Sequence, residues 1–250
     1  MRRVQALLRS TRRRSREGLM VAEGLRLVEE LLRSGLPVTR IYYTPEFTTD
    51  ARGATLIAAF SEREGVVWEV TPEVLAALSD TETPQGIVAV LPVPEIPVAG
   101  RQGVTLVLDG MRDPGNVGTV LRAAWASGVR QVLLPPGNVD VTNPKVVRAA
   151  MGAHFHLPLR RPSWEALAEM VAGDRVWLAE AGVGTRYDRV DWGGAVTLIV
   201  GGEAEGAGPQ ARALAAGRHV TIPMAPGVES LNAAMATSVL LFEAARQRGF

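Results

Sequence analysis

The chain has 250 residues, 47% of them hydrophobic and 21% charged, with a net charge of +1 and no cysteine. That balance belongs to a globular protein with one large core or two ordinary ones. Disulfides and thiolate metal sites are excluded, and only His154, His156 and His219 remain as imidazole ligands. No apolar run reaches the roughly 18 to 20 residues a bilayer span needs, and the start MRRVQALLRSTRRR has no signal-peptide cleavage pattern. The expectation is a cytoplasmic protein with no metal and no membrane partner.

Charge is unevenly spread. Arg2, Arg3, Arg9, Arg12, Arg13, Arg14 and Arg16 fall together with no acid among them, which leaves the rest of the chain net acidic. Such a cluster can neutralise phosphates by releasing their counterions. It reads equally as a frayed, solvated arm or as a helix with one charged face. Lysine is nearly absent, Lys145 standing alone.

Further along, Leu25, Val28, Leu31 and Leu32 sit at helical spacing in VAEGLRLVEELLRSG, which stops on a glycine. Glu23 and Gly24 shape a turn or helix start there. Apolar strands follow in VTRIYYT and VVWEV, then a short helix in PEVLAALSD and a strand in GIVAVLP. This makes an α/β module of about 95 residues. Three prolines and two glycines in LPVPEIPVAGRQG, residues 91–103, then break any period and predict an extended linker. The domain limits read 1–95, 96–103 for the linker, and 104–250.

The second domain alternates strand and helix: VTLVLD, a helix in TVLRAAWASG, then RQVLLPP, NPKVVRAAMGA, FHLPLR, SWEALAEMVA, RVWLAEA, AVTLIVGG, QARALAAG, HVTIPM and a closing helix from Ser230 toward Arg248. Continuously apolar strands predict a parallel sheet buried on both faces by helices. His154 and His156 alternate on a predicted strand and read as structural. Trp125, Trp164, Trp177 and Trp192 read as core or interface anchors, although one exposed aromatic could stack a base.

Three polar blocks stand where strands meet helices: DPGNVGTVLRAA from Asp113, LIVGGEAEGAG from Leu198, and IPMAPGVESLNAAMA from Ile222. Strand carboxyl ends are where open α/β sheets bind ligands. In the first block Pro114, Gly115 and Gly118 permit a tight turn whose N–H groups can face an anion, and Arg122 lies inside the helix that follows. An ordinary strand-to-helix turn capped by Asn116, with Arg122 on the surface, is the plainer alternative. In the second block, glycines let a ligand approach the main chain. The block fits no GxGxxG pattern, and Lys145 is misplaced for a phosphate loop. In the third block Ser230 suits an N-cap, whereas Asn232, in the first turn, is harder to explain structurally.

The order of these blocks, with Asn116, Arg122, Glu203, Ser230 and Asn232, resembles the SpoU/TrmH-type (SPOUT) RNA ribose 2′-O-methyltransferases across essentially the whole chain. The resemblance implies a carboxyl-terminal α/β domain with a parallel sheet and a deep trefoil knot, an exception to the rule against knotted chains. Blocks two and three would lie side by side in that knot and grip a bent S-adenosylmethionine. It makes Arg122 the arginine of the reaction and Asn116 its neighbour. It makes Glu203 a site carboxylate that orders its loop or binds Arg122, with Glu205 as the decoy, and it gives Ser230 and Asn232 roles at the active site. Gly201 and the main chain of Ile222 and Leu231 would contact the cofactor. Ala204 departs from the family's usual glycine, which bears on the loop's shape. The segments EGLMVAEGLRLVEELL and TETPQGIVAVL look like the amino-terminal RNA-binding α/β domain of ribosomal-RNA members. The last helix is implied to join a homodimer, with Met235 and Leu240 as interface or core. Transfer RNA as substrate, a catalytically silent RNA-binding protein of this fold, an enzyme of free nucleotides or bases and an antibiotic-resistance role stay open as alternatives.

Overall fold

A computed structural model describes residues 1–62, 66–203 and 205–249, which form two compact units: residues 1–94 with 140–155, and residues 95–139 with 156–249. The helices are α1 (Arg2–Arg9), α2 (Thr11–Glu17), α3 (Leu25–Ser34), α4 (Ala51–Ser61), α5 (Pro72–Ala77), α6 (Pro114–Ala126), α7 (Pro144–Ala149), α8 (Trp164–Met170), α9 (Pro209–Ala215) and α10 (Ala233–Gln247). The strands are β1 (Leu19–Glu23), β2 (Arg40–Tyr43), β3 (Val67–Glu69), β4 (Ile87–Pro92), β5 (Gly103–Asp109), β6 (Gln131–Leu133), β7 (Leu159–Arg160), β8 (Arg175–Ala179), β9 (Thr185–Arg186), β10 (Ala195–Gly201) and β11 (His219–Thr221).

In the first unit the sheet runs β1-β4-β2-β3, antiparallel except for the β2–β3 pair. Alternation along the strands splits the core into two layers. Met20, Ala22, Ile87, Ala89 and Leu91 face α3 and α4 through Leu27, Leu31, Leu56 and Phe60. Val21, Val88 and Val90 face Val4 and Leu7 of α1 and Leu75 of α5.

The arginine-rich start is helical. Ser10 caps α2 by accepting from the Arg13 N–H at 3.2 Å. Arg14 is buried, donating to Asp140 Oδ2 from Nη2 at 2.6 Å, to Thr142 Oγ1 at 3.0 Å and to the Leu7 carbonyl at 2.7 Å. Burial pushes the Asp140 carboxyl up, but the Arg14 and Thr142 hydrogen bonds outweigh it and hold the group below the usual carboxylate range. This ion pair, with Val147 and Phe155 in the apolar core, explains why residues 140–155 belong to the first unit rather than following the contiguous boundary at 96–103. His154 is not on a strand. It lies in a short 3-10 turn (Ala153–Phe155), where its Nε2–H donates to the Val141 carbonyl at 2.8 Å and burial lowers its pKa to about 4.

The second unit is a seven-stranded sheet, parallel throughout, in the order β7-β6-β5-β10-β8-β11-β9. Val107, Leu133, Val176, Leu178 and Ile199 form one layer with Leu167 of α8 and Ala211 and Ala215 of α9. The alternate residues Leu106, Leu108, Leu198 and Val200 are also buried, and α6 and α10 pack together on α10's approach to β10. The chain runs outward from β5 through β6 and β7, then returns to lay β8 and β10 on β5's other side. Ligands bind at such a reversal, beyond the carboxyl ends of the strands. Residues 93–102 carry no regular element, and Gly103 opens β5. Among the described residues, no helix is long and apolar enough to cross a membrane.

Candidate active site

A cavity of about 460 Å³ opens at the carboxyl ends of β10, β8 and β11, within the size range of small-molecule sites. Leu178, Ala179, Val200, Val220, Ile222, Leu231 and Leu240 make its apolar wall, and Gly201, Gly202, Glu203, Ser230 and Asn232 lie on its rim and floor. The second and third sequence blocks thus meet around one space. Between Ile222 and Leu231, a single main-chain hydrogen bond forms among the described residues, from the Val228 N–H to the Ala225 carbonyl. Most of that strand-to-helix crossing's amides and carbonyls are therefore without a main-chain partner among the described residues.

The polar residues are linked by a chain of amides. Asn232 Nδ2 donates to Asn116 Oδ1 at 3.1 Å, and Asn116 Nδ2 donates to Glu203 Oε1 at 2.8 Å. Asn232 is also the N-cap of α10, its Oδ1 accepting from the N–H groups of Ala234 and Met235 at 2.9 and 3.2 Å. The cap is thus Asn232 and not Ser230, and the helix begins three residues later than its sequence signal predicts. Ser230 is exposed and lines the cavity. An asparagine both accepts and donates, so one side chain fixes the helix start and orients its neighbour.

The first block differs from its expected shape. Asp113 is the N-cap of α6, accepting from the Asn116 N–H at 2.7 Å, and Pro114 occupies the first helical position, which suits its fixed φ and missing N–H. Gly115 and Gly118 are helical rather than part of a turn, and Asn116 is a residue of the first turn rather than a cap. Arg122 lies about 9 Å further along the axis. It is exposed, does not line the cavity, and has no hydrogen bond or ion pair among the described residues. Glu203 is therefore held by Asn116 and not by Arg122. Glu205 is exposed and off the cavity wall.

Gly201 is needed for a reason other than ligand approach. A Cβ placed there would stand 2.4 Å from the Ala207 nitrogen and 2.4 Å from the Gly206 carbonyl carbon, and one at Gly202 would stand 2.4 Å from the Gly110 oxygen. Both contacts are backbone, so these glycines let the second block close on itself and against the end of β5. Gly206 N–H completes the closure by donating to the Gly202 carbonyl at 3.1 Å. Ala204, the departure within this block, lies outside the described residues.

Several site residues carried no sequence signal. Asp109, at the last position of β5, accepts from the Gly208 N–H at 2.6 Å and ties the second block down. Asn138 grips the first block's approach by donating to the Leu108 carbonyl and accepting from the Met111 N–H at 2.9 Å. Glu180, on the cavity wall, pairs with Arg212 at 2.9 Å and His219 at 2.6 Å. The Arg212 bond above all keeps it below the usual carboxylate range. An aspartate ending an apolar strand can be found from sequence, but its partner 99 residues away cannot. Among the described residues, no group of three or more His, Asp or Glu could hold a metal ion. His156, expected on a strand, instead stacks on Trp125 with ring centroids 4.5 Å apart.

A parallel sheet, a pocket at its carboxyl edge and a closed glycine loop beside an amide relay define an α/β protein that binds a small ligand next to a polar reaction face. Residues 103–242 match the model of the SpoU rRNA methylase family, and residues 2–89 match that of the MRM3-like substrate-binding domain. The chain belongs to the SpoU rRNA methylase family. It is 34% identical to the 23S rRNA (guanosine(2553)-2′-O)-methyltransferase RlmP of Bacillus subtilis, over 94% of this chain and 92% of the relative. It is 32% identical to the mitochondrial rRNA methyltransferase 3 of Mus musculus, over 98% and 71%. Among solved structures, the AdoMet-bound rRNA methyltransferase from Sinorhizobium meliloti superposes with a TM-score of 0.85 at 29% identity, over 98% of this chain and 93% of that one. The SpoU methyltransferase AviRb from Streptomyces viridochromogenes, in complex with AdoMet, also gives 0.85, at 28% identity, over 99% and 97%.

Proposed function

We propose that this methyltransferase-family chain moves a methyl group from S-adenosylmethionine to a ribose 2′-oxygen of ribosomal RNA. The observation that carries the reading is the relay from Asn232 through Asn116 to Glu203, set on the rim of a ligand-sized cavity at the carboxyl edge of the sheet. The cavity fits an adenosine-type cofactor: its apolar wall would suit a purine, the main chain between Ile222 and Leu231, with one main-chain bond among the described residues, would offer donors and acceptors, and Glu203 on the rim would offer negative charge to a cationic ligand. When bound, the cofactor supplies an activated methyl on a sulfonium, so no metal is called for.

The chain's own residues then bind, orient and neutralise. The closed loop from Gly201 to Gly208 and the crossing from Ile222 to Leu231 hold the ligand from two sides. Side chains on a helix lean toward its amino end, so Arg122 leans toward the end of α6 where Asp113 caps the first turn. A guanidinium is too weak an acid to serve as a base at neutral pH. Arg122 is therefore assigned to stabilising the developing alkoxide and orienting a phosphate. Holding donor and acceptor in line contributes on the order of 7 to 11 kcal/mol to such a reaction.

Three further readings belong to this proposal. The third block and the loop from Gly201 to Gly208 adjoin as the family's trefoil knot requires. The protein works in the cytoplasm. A second copy covers the outer face of α10, where Met235 is 61% and Phe242 50% exposed, with Val239 between them, while Leu240 is buried in the core.

Incubation with cofactor labelled at the methyl group and protein-free, in-vitro-transcribed ribosomal RNA tests the reading. Label is expected in RNA; cofactor binding without transfer to any ribosomal transcript, or no cofactor binding at all, would contradict it.

A further inference from the structure

The seven arginines at the start of the chain do three different things once folded. Arg14 is internal, consumed by Asp140, Thr142 and the Leu7 carbonyl. Arg3 and Arg13 both pair with Glu17, the first acid in the chain. Arg2, Arg9, Arg12 and Arg16 are exposed and form no hydrogen bond or ion pair among the described residues. On α2, the exposed positions Thr11, Arg12, Ser15 and Arg16 make one continuous face. The opposite side is fixed to the body of the unit through Arg14. No acid lies on α1 or α2 apart from Glu17, which Arg3 and Arg13 already occupy. The strip is therefore not a frayed arm. It is a helical cationic face with the backbone positions of Arg12 and Arg16 about one turn, roughly 6 Å, apart along the axis.

We propose that the outer face of α2, through Arg12 and Arg16 and supported by Arg9 and Arg2, is the surface on which the first unit seats the phosphate backbone of its RNA substrate. This rests on the RNA-methylating reading above and names the contact surface within it. The chemistry fits one partner. Guanidiniums left unpaired at a folded surface match phosphates bidentately and release condensed counterions on contact. The exposed hydroxyl of Ser15 offers a neutral donor between them, as phosphate-facing surfaces use, while the Thr11 hydroxyl accepts from Arg14 at 3.0 Å. A surface built this way positions RNA without reading sequence, so the loss on substitution should be uniform across RNA sequences and appear in the salt dependence.

Binding of labelled, in-vitro-transcribed ribosomal RNA is measured against salt concentration for the whole chain, the double variant Arg12→Gln/Arg16→Gln, and a charge-matched control, Arg33→Gln/Arg186→Gln. Arg33 and Arg186 are exposed and paired with Glu30 and Asp188. Each phosphate contact contributes about 0.7 to 0.9 to the slope of log affinity on log salt. The double variant should therefore flatten the slope by about 1.5, so that going from 50 to 200 mM salt weakens the unaltered chain about 8-fold more than the variant. The control should keep the slope. Unfolding midpoint and S-adenosylhomocysteine affinity should match between the unaltered chain and the double variant, since neither Arg12 nor Arg16 makes an internal bond, while the control loses only two exposed ion pairs. An unchanged slope in the double variant, or an equal flattening in the control, overturns the assignment. If the unaltered chain binds no ribosomal RNA at any salt, the functional reading itself fails instead.

Discussion

Asn232 carries two jobs on one side chain, and substitution can separate them. Aspartate at this position keeps the oxygen that caps α10, so its two bonds from the Ala234 and Met235 N–H groups survive and stability should change by only a few tenths of a kcal/mol. It has no N–H to give Asn116. The new carboxylate repels the Asn116 oxygen that faced it at 3.1 Å, so Asn116 turns its amide around to donate to that carboxylate and presents oxygen to Glu203, which removes the 2.8 Å bond that orients the Glu203 carboxylate. A hydrogen bond to a charged group is worth about 1.5 to 3 kcal/mol. Glu203 is exposed, so the lower end applies, and about 1.4 kcal/mol corresponds to a factor of 10 in rate if the bond acts in the transition state. Asn232→Asp should therefore slow methyl transfer about tenfold or more while its urea midpoint stays put. Asn232→Ala leaves the Asn116 bond to Glu203 able to form, so it should lose less rate than the aspartate variant but about 1 kcal/mol of stability with the cap. The assay is single-turnover transfer at saturating cofactor, alongside denaturant unfolding. Full activity in Asn232→Asp, or a loss tracking stability across the pair, would refute the relay.

Other consequences follow from individual geometries. Gly201→Ala forces backbone apart at 2.4 Å, so calorimetry should find cofactor affinity reduced at least about tenfold, by roughly 1.4 kcal/mol; a normal titration would show that the loop closes some other way. Arg122→Ala, which removes no internal bond, should abolish transfer yet leave cofactor affinity and the unfolding midpoint nearly unchanged. Equal losses in binding and activity would mean Arg122 acts on the cofactor site instead. Arg14→Met leaves Asp140 buried without its guanidinium, a loss of about 3 to 5 kcal/mol to be read from hydrogen-exchange protection of β1 and β4. In the unaltered chain the depressed Asp140 group stabilises the fold above the unfolded pKa and loses that contribution as pH falls through its folded value. In the variant, burial without Arg14 raises the carboxyl instead, so the gap between the two proteins should be widest near neutrality and narrow as pH drops. A constant gap, or one under about 1 kcal/mol, would contradict the buried pair's role.

The alternation of strands and helices in the second unit was legible because its strands are apolar throughout and its turns are marked by glycine and proline. The parallel sheet and the α9 and α10 helices follow from that pattern, whereas the meeting of the second and third blocks was implied only by the family resemblance. What periodicity does not carry is which side chain wins a shared job. Ser230 and Asn232 are both competent caps, and Asn232, which holds the position, also donates from its amide nitrogen to Asn116, a residue 116 positions away in sequence. Asp113 displaces Asn116 at the start of α6 because proline at the next position favours helix from there on. Arg14 read like its neighbours, since nothing local distinguishes an arginine that will meet Asp140, 126 residues later. Gly201 drew attention for the right place and a different reason: backbone closing on backbone, a contact that only coordinates reveal. The two-residue strand β9 and the helix α4 left too little pattern to find.

The central claim is that the group modified is a sugar oxygen of ribosomal RNA, and it is tested most directly by nucleoside analysis of the labelled transcript after complete digestion. The account predicts all label in a 2′-O-methylated nucleoside at one position, with the adjoining phosphodiester resistant to alkali because its neighbouring hydroxyl is blocked. Label on a base, or an alkali-sensitive linkage at the modified position, would contradict it.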